Sequence, residues 1–203
     1  MEIVIASGNK DKISEIMKIF QDTGVKFKTL AEYPDCPEVI EDGNNLFENA
    51  FKKAKEISNY TGLAAISDDT GLEVDALDGR PGVFSARYAG ENASYADNVN
   101  KLLEELKGVE DKNRTARFRT VSVYYKDGEY FDAEGTVEGK IINERRGNKG
   151  FGYDPVFFYE EKGRTFAEMN QGEKNKISHR GRAIKKLYNK LKNNNIINIE
   201  DNL

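Results

Sequence analysis

The 203-residue chain has a single cysteine and a single histidine. Cys36 has no partner for an internal disulfide, and together with His179 it falls short of the ligands a common zinc site needs. No apolar run approaches the roughly 18–20 residues that a membrane helix requires. The opening MEIVIASGNK shows no basic leader followed by a long apolar stretch. The expectation is therefore a globular protein of a reducing, cytoplasmic compartment, with no membrane partner. A Walker-type phosphate loop and a Gly-x-Ser-x-Gly serine-hydrolase string are both missing, as are internal repeats and Pro- or Ser-rich linkers.

Charge is plentiful but unevenly placed. Charged residues make up 33% of the chain against 38% hydrophobic, yet eleven Phe and ten Tyr supply enough bulk to argue against wholesale disorder. Gln171 to Lys192 holds eight Lys or Arg and one acid, Glu173, so this segment carries +7 and the remainder −11 in a chain of net −4. An acidic remainder disfavours bulk nucleic-acid binding. It leaves room for a small anionic ligand on one basic edge, although a solvated helix face explains such a run as well.

Periodicity predicts alternating strands and helices. Glu2 to Ala6 reads as a buried strand that stops at Ser7-Gly8-Asn9, and Ile13, Ile16, Met17, Ile19 and Phe20 then recur at helical spacing. Val25 to Thr29 alternates as a second strand, and a helix is expected from about Asn45 to Ser58. Gly62 to Ser67 reads as a strand closed by Asp68-Asp69, followed by a mostly loop segment from Gly71 to Gly90. Ser94 is positioned to cap a helix. Thr115–Tyr125 and Tyr130–Ile141 flank Asp127-Gly128, a strong hairpin signal. A short strand at Pro155–Tyr159 and a helix over His179–Leu191 follow, and Asn193–Leu203 is expected to fray. The whole is a mixed α/β fold: a long twisted mixed sheet flanked by helices, with residues 1–192 forming one two-lobed domain around a cleft.

Four clusters carry candidate chemistry. Ser7-Gly8-Asn9-Lys10-Asp11-Lys12 sits at a strand-to-helix turn, where backbone N–H groups and a helix N-terminus can surround an anion, though an ordinary helix start looks the same. Asp68-Asp69, at the end of a buried strand, suits a hard cation such as Mg²⁺, with Glu41, Asp42 and Glu48 as upstream partners; a simple Asp-Asp-Thr-Gly turn is the plain alternative. Gly150 to Pro155 frames Phe151 with two glycines, which suits stacking on a planar ring or plugging a core. Lys174 to Arg182 places basic residues at the start of the last helix, the unfavourable end of its dipole, and an anion or purine carbonyl would explain them. His179 fits a core position equally well.

Taken together, these strings resemble the inosine triphosphate pyrophosphatase family, the XTP/dITP diphosphatases. The resemblance runs through Ser7–Lys12, Phe47-Glu48-Asn49-Ala50, Ser67–Leu72, Gly82–Tyr88, Gly150–Pro155 and Ile177–Gly181. It implies that Ser7, Gly8, Asn9, Lys10, Asp11 and Lys12 hold phosphates, with Lys53 reaching them too. It implies that Asp69 is proton acceptor and Mg²⁺ ligand, with Glu41 as the second metal carboxylate. Thr70 contacts substrate, and Phe151, Gly152, Tyr153, Asp154, Lys174, His179 and Arg180 line the base and sugar site. A homodimer is implied as well. The implied reaction is NTP + H₂O → NMP + pyrophosphate on ITP, dITP and XTP. A pyrophosphatase of the septum-formation-inhibitor type and a non-hydrolytic RNA-binding module are the competing readings; the first is disfavoured by the Gly-Phe-Gly-Tyr-Asp and Ser-His-Arg strings, the second by Asp68-Asp69.

Overall fold

The computed structural model describes residues 1–21 and 23–197; residues 198–203, the far part of the tail expected to fray, lie outside them. In chain order the described residues form β1 (Glu2–Ile5), α1 (Lys10–Ile19), β2 (Lys26–Thr29), α2 (Leu46–Thr61), β3 (Ala64–Val74), β4 (Pro81–Gly82) and α3 (Tyr95–Glu105). There follow β5 (Thr115–Lys126), β6 (Glu129–Ile141), β7 (Phe157–Tyr159), β8 (Arg164–Thr165), α4 (Gln171–Ile177) and α5 (His179–Asn193). The strands join in one mixed sheet, β2-β1-β3-β5-β6-β7-β8, with β4 paired on β3. β1 runs parallel to β2 and β3, whereas β7 is antiparallel to β6 and β8. The β5–β6 hairpin turns where expected: Asp127 and Gly128 both take positive φ, 48° and 91°, as a tight turn matched to strand twist requires. The α/β class and the long sheet agree with the sequence.

The fold divides into two compact units, and β3, β5 and β6 run through both. The first comprises Met1–Asp69, Thr120–Gly135 and the segment from Arg180 onward. Its core follows from strand alternation, which sends successive side chains to opposite faces. Ile3, Ile5, Ala64 and Ile66 meet Ile16 of α1 and Ile184, Leu187 and Leu191 of α5. Val4, Ala6 and Ala65 turn the other way, onto Ile57 of α2. Past α5 the chain departs from the expected fraying. Ile197 is buried with the first of these groups, because Asn195 turns left-handed and the Ile196 N–H donates to Leu191 O at 2.9 Å.

The second unit comprises Thr70–Arg119 and Thr136–His179. Leu72, Val74, Leu102, Leu106, Phe118, Val137, Phe157 and Phe166 form its core. α3 begins at Ser94 as expected, with Ser94 and Asp97 capping one another reciprocally.

Two local expectations need correction. β3 does not end at Asp68-Asp69; it continues to Val74, so both acids lie in mid-strand and the presumed loop begins late. Non-local pairing explains the extension: Leu72 and Glu73 pair with β4, and Gly71 lies so close to Gly82 that a Cβ would come within 2.8 Å of the Gly82 carbonyl. The basic segment is two helices, broken where Ser178 adopts an extended ψ of 157°. Lys174 and Lys176 therefore occupy the last turn of α4, the end that a helix dipole favours for cations. No helix among the described residues is long and apolar enough to cross a membrane.

Candidate active site

Mid-strand placement of Asp68 and Asp69 gives the first unit its charge cluster. Ala65, Ser67 and Asp69 share the face of β3 toward α2, where the Ser67 hydroxyl donates to Ala50 O. Asp68 projects to the other face. There Arg180 donates from Nε to its Oδ2 at 3.1 Å, Lys12 Nζ lies 3.4 Å from the same oxygen, and Arg180 Nη1 pairs with Glu15. Burial alone would raise the pKa of Asp68, but Arg180, Lys12 and Lys53 outweigh it and hold the carboxyl well below the usual range. This acid stays ionised.

On the opposite face, Asp69 Oδ2 accepts from Asn49 Nδ2 at 3.1 Å, and Lys53 Nζ lies 3.7 Å from Oδ1. Lys53 also donates to Glu41 Oε1 at 2.8 Å and to the Asp68 carbonyl at 2.9 Å. Here burial prevails over the lysines, and the Asp69 pKa is raised. The two lysines diverge likewise. Desolvation lowers Lys12, helped by Lys53 and Arg180, whereas Asp69, Glu41 and Asp68 overcome the burial of Lys53 and raise it. Glu41, Lys53 and Asp69 are thus brought together, and Lys12 adjoins them through the Asp68 carbonyl, which accepts from Lys12 at 3.5 Å as well as from Lys53.

The Ser7–Lys12 turn is built as expected, with one difference. Asn9 is the N-cap of α1, and its Oδ1 accepts from the Asp11 and Lys12 N–H groups at 2.9 and 3.2 Å. Those two amides are already capped, so an anion there would rely on Lys12 Nζ and the preceding turn. Ser7 Oγ accepts from the Asn9 N–H, while Gly8, Lys10 and Asp11 are exposed.

In the second unit, Lys174 Nζ pairs with Asp154 Oδ2 at 2.6 Å and lies 4.7 Å from the centroid of the Phe151 ring. The same carboxylate oxygen accepts the Phe151 N–H at 2.9 Å. Gly150 makes this possible, since a Cβ there would fall 2.0 Å from Asp154 Oδ2. Phe151 is half-buried, with Tyr95 5.8 Å away, and Gly152 takes a left-handed turn beside it. Tyr153 differs from expectation: it is buried in the core, and its hydroxyl donates to Ser85 O at 2.9 Å, so it braces the loop. His179 stacks on Phe118 at 4.5 Å, a core position. Thr70 is half-buried in β3. Arg180, expected at the base site, is instead only 1% exposed and engaged with Asp68 and Glu15 in the first unit.

Two participants have no role assigned from the sequence: Asn49, which enters only as part of the Phe47-Glu48-Asn49-Ala50 string, and Glu15. Both are polar residues within an otherwise inward-facing helical stripe, and that mismatch was the available signal.

Among the described residues no group of three or more His, Cys, Asp or Glu could hold a metal ion. The pair Glu41 and Asp69 nevertheless fits Mg²⁺, which takes one or two protein carboxylates and completes its shell with water and phosphate. The Lys53 ammonium between them shows that the pair accommodates a cation. Glu15, Glu41, Asp68 and Asp69 also outnumber Lys12, Lys53 and Arg180 by one charge.

Paired acids on an interior strand of a mixed sheet, met by one lysine from α1 and one from α2, mark an α/β enzyme of the kind that works on phosphate anhydrides. The chain belongs to the Ham1 family, whose model matches residues 3–190. It is 50% identical over 183 residues to a dITP/XTP pyrophosphatase of Geobacter sulfurreducens, spanning 90% of this chain and 92% of the relative. A dITP/XTP pyrophosphatase of Desulfotalea psychrophila is 49% identical over 183 residues, spanning 90% of this chain and 81% of the relative. The solved structure of a HAM1 protein from Coxiella burnetii matches with a TM-score of 0.87 at 41% identity, covering 95% of this chain and 99% of that one.

Proposed function

We propose that the chain hydrolyses the non-standard purine nucleoside triphosphates ITP, dITP and XTP to the monophosphate and pyrophosphate, removing them from the nucleotide pool. The curated relatives named above support this substrate class. The observation that carries the chemistry is Asp69, a buried carboxylate of raised pKa held by Asn49 beside Lys53.

Lys12 and Lys53 bind phosphate oxygens and stabilise the charge that develops on departing pyrophosphate, the kind of preorganised electrostatics that dominates many rate accelerations. Asp69 orients the water that attacks the α-phosphorus and takes its proton. Glu41 and Asp69 would hold Mg²⁺, which when bound supplies further neutralisation of the polyphosphate. Base recognition falls to Phe151, by stacking, and to Lys174, which Asp154 orients to donate to a 6-keto oxygen. Adenine carries a 6-amino donor at that position, so ATP would leave the Lys174 donor unmatched. The reading extends to a cytoplasmic homodimer, which sedimentation at micromolar concentration tests.

A pyrophosphate-release assay across ITP, dITP, XTP, GTP and ATP decides the function. The expected preference for ITP over ATP in kcat/KM is roughly 10⁴-fold, the discrimination reached by sites matched to hydrogen bonds. Equal values for the two would overturn it. In the same assay Asp69→Asn should lower kcat by at least about 10²-fold, the low end for loss of a general base.

A further inference from the structure

We propose that Asn49 is a positioning residue, which through the two ends of its side-chain amide ties the loop carrying Glu41 to Asp69 and fixes the angle of the Asp69 carboxylate. The inference rests on the catalytic reading of Asp69 given above. Asn49 lies in α2, fully buried. Its Nδ2 donates to Asp69 Oδ2 at 3.1 Å, and its Oδ1 accepts the Gly43 N–H at 2.8 Å. The assignment of the two ends is unambiguous, because a backbone N–H can only donate and a carboxylate can only accept. With Oδ2 so held, Oδ1 is the atom that faces Lys53, and Lys53 in turn binds Glu41 two residues before Gly43.

Gly43 is shaped for this contact. A Cβ there would stand 2.6 Å from Asn49 Oδ1 and 2.8 Å from Glu48 Cβ, so only glycine lets the loop approach. Glu48 reinforces the approach by accepting the Asn44 N–H at 2.8 Å. Gly43, Asn49, Asp69, Lys53 and Glu41 thus close a ring of contacts in which each acid is oriented by a partner other than substrate. The amide serves both ends at once, whereas aspartate offers no donor and leucine neither donor nor acceptor.

Three variants and one control test this. Asn49→Asp keeps the acceptor for Gly43 and loses the donor to Asp69. Its kcat on dITP should fall about 10²-fold, the cost of an angstrom-scale misplacement, while hydrogen exchange at the Gly43 amide stays slow. Asn49→Leu should lose kcat and the Gly43 protection together. Gly43→Ala should lower kcat by at least about tenfold with every Asp69-facing group intact, and with KM changed less than about threefold, as expected when a transition-state interaction is lost. Asp69→Asn is run alongside. Should Asp69→Asn be inactive while Asn49→Asp and Gly43→Ala keep the parent kcat, the positioning role is wrong and the catalytic reading stands. Parent-level turnover in Asp69→Asn overturns the catalytic reading, and the positioning role with it. If Asn49→Leu does not fold, the other two variants still decide.

Discussion

Asp68 and Asp69 are identical side chains on consecutive residues, and their surroundings drive them apart. At Asp68, Arg180, Lys12 and Lys53 overcome burial and depress the pKa; at Asp69, burial prevails and raises it. A depressed carboxyl contributes stability that is present above its unfolded value, near 3.9, and is lost as pH falls through the folded one. A raised carboxyl works in the opposite sense and weakens the fold above its unfolded value. Asp68→Asn should therefore cost about 3–5 kcal/mol at neutral pH, as when a buried ion pair loses one member, and should flatten the acid limb of the stability curve. Asp69→Asn should leave the unfolding midpoint unchanged or higher while turnover collapses. Urea titrations of both variants at neutral and acid pH measure the contrast, and a loss in Asp68→Asn below about 1 kcal/mol, the range of surface pairs, counts against it.

Elements built from neighbouring residues deliver the second site, and Gly150 is its tightest point. It adopts φ +70°, and a Cβ would collide with Asp154 Oδ2. Gly150→Ala should displace Asp154, free Lys174 from its orientation over Phe151, and raise KM for ITP roughly tenfold, about the free energy of one hydrogen bond. Its stability should fall by more than the ~1 kcal/mol usual for a side chain at a left-handed position, because the buried Asp154–Lys174 pair is disturbed as well. Steady-state kinetics with parallel thermal unfolding separates the two effects. The same scale shows what a sequence can disclose. The Asp127-Gly128 hairpin, the Ser94 cap and the Asn9 turn are set by residues a few positions apart, and all three were legible. β3 ran past its expected end because its final residues depend on pairing with β4. Arg180 could not be placed because its partners, Glu15 and Asp68, lie 165 and 112 residues away. Lys12, Lys53, Glu41 and Asp69 were found together only because motif resemblance carries three-dimensional information that periodicity lacks.

At the level of the whole molecule, neither compact unit is a continuous stretch of chain; the path changes unit after Asp69, Arg119, Gly135 and His179. Ile184, Leu187, Leu191 and Ile197, which cover Ile3, Ile5 and Ile66, arrive only at the end of the chain. Ending the chain at Ser178 removes all four, each contributing about 1.5–3 kcal/mol by burial, against a total stability of about 5–15 kcal/mol for a typical domain. That truncation should abolish cooperative unfolding, whereas ending at Asn195 should preserve it with a lowered midpoint; circular dichroism on the two proteins is sufficient. The pleat of β3 also places a rule on descent. Inserting or deleting one residue between Ala64 and Ser67 would exchange the faces presented by the two acids: an insertion would bring Asp68 to the slot beside Lys53, and a deletion would bring Asp69 to the slot beside Arg180. Point changes can accumulate along that strand, but its parity, odd against even, is inherited as a single indivisible character.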